Sequence, residues 1–453
     1  MILIKNGHVF DPSREIDGIC DILIEAKKIK EVRPLDARSG TQGKKRKNDA
    51  AGPKDPLSEI EIFDASGMLV FPGLVDMHVH LREPGYEYKE TIKTGTEAAV
   101  KGGITSVCCM PNTNPVNDTP GITEFIIRKT IQEGSCSVFP IGAITKGQKG
   151  EELAELGMMY DAGCVAFSDD GRPVMDSLVM RRALEYSRIR KTLIISHAED
   201  MHLAAGGVMN EGLLSLTLGL KGIPVQAEEI MIARDIALAE LTGGRLHIAH
   251  VSTAGSVELL RAAKKRGIAE ITAETCPHYF SITEEAVRGY NANAKVNPPL
   301  RTMKDVEAIR QGLHDDTIDV IATDHAPHHK DEKSGEFDNA PPGISGLETS
   351  IGLSMRLVDD NVLTPSRLAE KMSCAPARIL GLAGSSAVSR PAGIKGTLMP
   401  GADADLVIIK VEEDYTVNAA GFRSKGKNTP FDGWTLKARP AATIAKGRIY
   451  TWT

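Results

Sequence analysis

From about residue 71 onward, short apolar runs alternate with longer amphipathic stretches. Eight of the apolar runs predict strands: Leu74 to His80, Ile104 to Met110, Ser137 to Ile144, Cys164 to Ser168, Thr192 to His197, Arg245 to His250, Ile271 to Thr275 and Asp319 to Thr323. Helical spacing of apolar positions fills the intervals, as in Glu90 to Lys101, Gly150 to Asp161, Ala227 to Leu241 and Ser256 to Arg266. Strands that alternate with helices predict a parallel sheet, and eight such repeats predict an α/β architecture closed as a (β/α)8 barrel. An open doubly wound sheet would need a glycine-rich phosphate-binding turn after an early strand, and no convincing GxGxxG stands there.

The chain ends read differently. Residues 1 to about 35 predict short antiparallel strands, Met1 to Lys5, Ile22 to Ala26 and Lys28 to Val32, with turn residues between them. Ser39 to Pro56 is rich in Gly, Pro and Lys without periodicity and predicts a polar loop; its run Lys44-Lys-Arg-Lys47 reads as a solvated charge cluster. The 453 residues exceed the roughly 250 that such a barrel takes, which leaves room for a smaller second unit.

Composition narrows the class of partner. The net charge is −6 and the charges are interspersed, so no basic face favours nucleic acid or a membrane surface, and a small molecule is the expected partner. The seven cysteines include no CxxC pair and sit mostly in apolar runs, which predicts reduced thiols. Met1 to Phe10 alternates like a strand and lacks the long apolar region of a signal peptide, and no later run is long enough to span a bilayer. The expectation is a soluble, cytoplasmic protein.

The barrel carries the candidate chemistry, because functional residues of this fold stand at the C-terminal ends of the strands. The first run ends in His78 and His80, which share a face if the strand is regular. The fourth runs into Ser168-Asp-Asp-Gly171, the fifth ends in His197, the sixth in His250 and the eighth in Asp324. Four histidines and two carboxylates converging on one barrel mouth have the composition of a two-metal hydrolytic centre. Arg82 follows the first pair and places a guanidinium beside it, suited to a carboxylate. Counting back from His250, His247 falls one residue off the inward face and is expected to point toward the helices.

Six segments make the reading more specific: His78-Val-His-Leu-Arg-Glu-Pro-Gly85, Met110-Pro-Asn-Thr-Asn-Pro115, Ser196-His-Ala-Glu199, Ala249-His-Val-Ser252, Val296-Asn-Pro-Pro-Leu300 and Ala322-Thr-Asp-His-Ala-Pro-His328. Together they resemble the signature segments of the dihydroorotase family, class I bacterial type, in the amidohydrolase superfamily. The resemblance implies a TIM-like barrel over residues 71–380. A small β-sandwich would be built from both chain ends, residues 1–70 with the polar insertion at about 36–58, and residues 381–453. It also implies that His78, His80 and Asp324 hold one zinc, that His197 and His250 hold a second, and that Asp170 bridges them where many superfamily members carry a carboxylated lysine. One or two Zn2+ ions per subunit are expected.

Asp324 would shuttle a proton for a metal-bound hydroxide attacking a cyclic amide. His80, Arg82, Asn112 and His328 would meet the substrate, the last three at its exocyclic carboxylate, with Asn297 and the backbone of Pro342 and Gly343 at the ring. The implied reaction interconverts (S)-dihydroorotate and N-carbamoyl-L-aspartate in pyrimidine (UMP) synthesis. Hydantoinase or allantoinase chemistry, which shares the barrel and metals, is the alternative, as is a non-catalytic partner of aspartate transcarbamoylase. The family also suggests a homodimer and allows a complex with that transcarbamoylase. His278 and His325 are expected to orient ligands by hydrogen bonds, and residues 206–213 and 329–345 to form loops near the mouth.

Overall fold

The computed structural model describes residues 1–35, 60–267, 270–384 and 393–452, so the insertion expected at about 36–58 lies outside the described residues. All eight apolar runs are strands: Leu74–Val79, Ile104–Cys109, Ser137–Gly142, Ala166–Ser168, Leu193–Ser196, Arg245–Ile248, Ile271–Thr275 and Val320–Ile321. They pair in parallel in chain order. A parallel bridge between Val79 and His325 and a 2.8 Å hydrogen bond from His80 N to His325 O join the last strand to the first and close the barrel.

Two apolar layers result. Val107, Ile194, Leu246, Ile248 and Ile271 pack outward with Val100, Met180, Ile232, Leu260 and Ile309 of the surrounding helices. Val75, Met77, Cys108, Ile141, Ile195, Ala249 and Val320 form a separate interior cluster. Because Leu246 and Ile248 face the helices, His247 faces the interior, contrary to the expectation from sequence, and its Nδ1 and Nε2 lie 2.8 and 3.2 Å from Thr272 Oγ1 and Glu274 Oε2. The miscount has a cause: His250 has φ +35 and is no longer on extended backbone, so alternation cannot be counted back through it. The helix expected over Gly150 to Asp161 begins only at Leu156 (Leu156–Ala162); before it, Thr145 bridges Leu153 and Gly147 and Gly150 turn the chain at positive φ.

Both chain ends contribute to one eight-stranded sheet. Ile2–Asp11, Ile16–Glu25, Lys28–Pro34, Glu61–Asp64 and Leu69–Pro72 join Leu406–Lys410, Arg439–Ala445 and Arg448–Thr451, with Leu406–Lys410 antiparallel to Leu69–Pro72. Ile4, Val9, Ile22, Ile29, Val70, Leu406, Ile408 and Ile444 fill its core. Buried Lys395 pairs with Asp403 at 2.9 Å and Asp405 at 2.6 Å and donates to Ser137 Oγ at 3.0 Å, pinning the sheet to the third barrel strand. Between Leu406–Lys410 and Arg439–Ala445 the chain leaves the sheet, and residues 424–428 reach the loops that follow the eighth barrel strand.

Candidate active site

The first barrel strand is irregular where it matters. Val75 and Met77 face the interior while Val79 packs with the helices, and the ladder to the next strand breaks register between Asp76 and Val79. That shift turns both His78 and His80 toward the barrel axis. Arg82, His250 and Asp324 stand at φ +62, +35 and +46, a region that costs a non-glycine residue on the order of 1–3 kcal/mol and that clusters at functional sites.

Six side chains come together as the sequence predicts, all buried. His78, His80 and Asp170 form one group able to hold a cation, and Asp170, His197 and His250 form another; ligand atoms within each lie within 4.8 Å of one another. Asp170 Oδ1 is 3.4 Å from His78 Nε2, 3.3 Å from His197 Nδ1 and 3.5 Å from His250 Nε2, and Oδ2 is 3.5 Å from His80 Nε2. Asp324 Oδ1 lies 3.1 Å from His80 Nε2 and 3.5 Å from His78 Nε2. Asp169, the other acid of the pair, faces away and accepts from the backbone of Ile144 and Thr145 at 2.8 and 3.1 Å.

The residues fit a divalent metal. His78 Nε2 and Asp170 Oδ1 are buried without a hydrogen-bond partner, and both belong to the ligand sets. Burial opposes charge on Asp170, but the charge of His78 and the nearby rings of His197 and His250 hold its carboxyl well below the usual range. Burial likewise opposes a charged His197, yet Asp170 and Glu199 push its pKa up to about 10. The positive charge that these carboxylates draw to the centre is what a cation supplies.

Two carboxylates that sequence reading did not single out orient the ligands. Glu274, inward-facing on the seventh strand, lies with Oε1 2.6 Å from His78 Nδ1 and Oε2 3.2 Å from His247 Nε2. Burial raises its pKa, but the charge of His78 and bonds from His247 and His78 bring it down to about 2. Glu199 Oε2 lies 3.3 Å from His197 Nε2 and accepts from Asn297 Nδ2 at 3.0 Å. Such partners fix the ring and tautomer of a ligating histidine. The signal for Glu274 was present: it is the lone acid in the run Ile271-Thr-Ala-Glu-Thr.

A cavity of about 210 Å³ opens on this centre, and Arg82, Asn112, Asn297, His328, Pro342 and Gly343 all line it. The side chain of Arg82 is half-buried, with Pro327 O 3.3 Å from Nε and His328 Nε2 3.4 Å from Nη2. Burial and the charges of Arg82, Lys89 and Lys333 push His328 down to about 2, so it is neutral. Its Nδ1 lies 3.3 Å from Lys89 Nζ and its Nε2 2.9 Å from Pro342 O, partners that assign the proton to Nε2. Asn112 lies with Oδ1 2.8 Å from His80 Nδ1 and Nδ2 3.4 Å from Asp170 Oδ2, so in this structure it also orients the metal-binding group. A second cavity of about 570 Å³ adjoins the first through Asn297, Pro341 and Pro342 and is lined by residues of both expected mouth loops, 206–208 and 338–342. His278 is buried with Nε2 unpaired, and His325 lies 3.4 Å from Glu90 Oε2.

Comparison with known proteins bears on which reaction this centre serves. Full-length relatives carry the name dihydroorotase: 53% identity to that of Geobacter metallireducens over 99% of each chain, and 54% to that of Pelotomaculum thermopropionicum over 99% of this chain and 98% of the relative. The chain belongs to the dihydroorotase family. A family model described as Dihydro-orotase-like matches residues 67–256, which span strands one to six and all four metal-site histidines. Membership makes the chain a hydrolase of cyclic amides. Among solved structures, L-hydantoinase (dihydropyrimidinase) from Arthrobacter aurescens superposes with a TM-score of 0.83 at 25% identity, over 100% of this chain and 97% of that one. Dihydropyrimidinase from Brevibacillus agri gives 0.79 at 20% identity over 99% and 94%, a likeness of fold. Among the described residues no helix is long and apolar enough to cross a membrane, and all seven cysteines are buried and outside any disulfide.

Proposed function

We propose that this chain interconverts (S)-dihydroorotate and N-carbamoyl-L-aspartate, the ring-closing step of pyrimidine synthesis, with zinc as its metal. The observation that carries the reading is Arg82: a half-buried guanidinium whose hydrogen-bonding contacts are neutral, in the same cavity as the two histidine–aspartate groups. Such a group selects a substrate ring that bears a carboxylate, and rejects a ring without one. His78, His80, Asp170 and Asp324 would hold one ion and Asp170, His197 and His250 the other. When bound, the ions supply Lewis acidity toward the amide carbonyl and toward the attacking water.

The chain's own residues do the rest. Asp324 is drawn toward its ionised form by His78 and His80 against the effect of burial, and it takes the proton of the attacking water. As the ring C–N bond breaks and the new C–O bond forms, the same carboxyl delivers that proton to the leaving nitrogen. Arg82 and Asn112, with His328, hold the exocyclic carboxylate, and Asn297 and the backbone at Pro342 and Gly343 hold the ring. In this reading the chain divides at about residues 70 and 380 into the sheet and the barrel.

The likeness in fold to hydantoinases gives the second reading, hydrolysis of a neutral ring. Rates for purified, zinc-supplemented protein on L-dihydroorotate, hydantoin, dihydrouracil and allantoin, with zinc quantified in the same sample, separate the two. Turnover of dihydroorotate alone is expected. Preference for a neutral ring would transfer the chain to the hydantoinase reading.

A further inference from the structure

The segment that leaves the sheet near the C-terminus meets the cavity wall through one side chain. Asn428 is buried, and its Oδ1 accepts from His328 N at 2.9 Å while its Nδ2 donates to Ala326 O at 3.0 Å and Gly343 O at 2.9 Å. Ser345 Oγ lies 3.0 Å from both Asn428 Oδ1 and Gly426 O, and Ser345 N donates to Asn428 O at 2.7 Å. Both donors of the amide are therefore in use, Oδ1 accepts from His328 N, and the one hydroxyl proton of Ser345 is shared between Oδ1 and Gly426 O. They are spent on two loops: 324–328 after the eighth strand, which carries Asp324 and His328, and 342–346, which carries Pro342 and Gly343.

These loops also meet directly, through Ala326 N to Ile344 O at 2.9 Å, His328 Nε2 to Pro342 O at 2.9 Å and Gly346 N to His325 Nδ1 at 3.2 Å. Asn428 binds both at once and so sets their separation. The segment can come close enough because residue 426 is glycine; a Cβ there would stand 2.5 Å from Pro327 Cβ and 2.8 Å from His328 N. The histidines of the metal groups stand on the first, fifth and sixth barrel strands, which Asn428 does not touch.

We infer that Asn428 is a positioning residue for substrate: by fixing the gap between the two loops it places His328 and the Pro342–Gly343 backbone where ring and carboxylate bind. The inference rests on the dihydroorotate reading above. It is tested with Asn428→Asp, which keeps the shape but removes both donors, with Asn428→Ala, and with the milder Ser345→Ala. KM for L-dihydroorotate is expected to rise about tenfold in the Asn428 variants and about twofold to threefold in Ser345→Ala, since misplacement by a fraction of an ångström is costly in such sites. Turnover per zinc-loaded site stays within about threefold of the parent chain. A general scaffold role would instead lower the active fraction and leave KM alone. Hydrogen exchange gives a readout independent of substrate: amides of 325–328 and 343–346 exchange faster in the variants, while those of Leu193–Ser196 do not. An unchanged KM in a folded Asn428 variant, or in Ser345→Ala if neither Asn428 variant folds, overturns the inference. Failure of the parent chain to turn over dihydroorotate would remove the substrate reading alone, and the exchange pattern would then decide the role of Asn428.

Discussion

Replacing Arg82 by methionine removes a charge while retaining most of the side chain's length. A carboxylate seated on the guanidinium gains two charge-assisted hydrogen bonds, each worth roughly 1.5–3 kcal/mol. Their loss, about 3–6 kcal/mol, lowers kcat/KM for dihydroorotate by about 10²- to 2 × 10⁴-fold at 1.4 kcal/mol per decade. The loss is expected at the substrate, because Arg82 hydrogen-bonds toward Pro327 O and His328 and none of the histidines of the two candidate metal groups. The assay follows ring opening of L-dihydroorotate and of dihydrouracil by parent and variant, with zinc measured in both. The ratio of the two specificities is expected to collapse, with the neutral ring affected less than about threefold. Equal losses on both rings, or loss of zinc, would show that Arg82 holds the centre together and does not read the carboxylate.

Asp324→Ala is expected to abolish turnover, and substantial residual activity would end the assignment of Asp324 as proton carrier. Glu274→Gln deprives His78 Nδ1 of its charged partner at 2.6 Å and is expected to weaken metal affinity about 10- to 100-fold, read by competition with a chelator. Lys333, buried with Nζ donating to Ala292 O at 2.9 Å, is pushed down to about 7, first by burial and then by Lys295. Its unfolded value near 10.4 means that the unfolded chain holds the extra proton between about pH 7 and 10, so stability gains from this group as pH rises through that window. In Lys333→Met that gain, a few kcal/mol at most, is expected to vanish from denaturation curves taken at pH 7 and pH 9.5.

The barrel is legible in the sequence because each strand is a buried apolar run and each metal-site residue stands near or just past the C-terminal end of one. What escapes is whatever depends on leaving regular backbone. The register break between Asp76 and Val79 cannot be read from residues that look like uninterrupted strand, and the positive φ of His250 reverses the apparent facing of His247. Glu274 was visible as an acid in an apolar run, yet its role needs the knowledge that the seventh strand turns that position inward against His78. Asn428 carries no local signal, since its side-chain partners are mostly backbone atoms about one hundred residues upstream.

The sheet made from both chain ends has a consequence during synthesis. Leu69–Pro72 leads directly into the strand that bears His78 and His80, but its antiparallel neighbour Leu406–Lys410 emerges from the ribosome more than three hundred residues later. At about 5–20 residues per second that is a wait of roughly 15 seconds to a minute, during which an apolar edge has no partner. A nascent chain that stalls late therefore carries the ligands without the frame that steadies them, and it depends on chaperones or on the speed of elongation to stay out of aggregates.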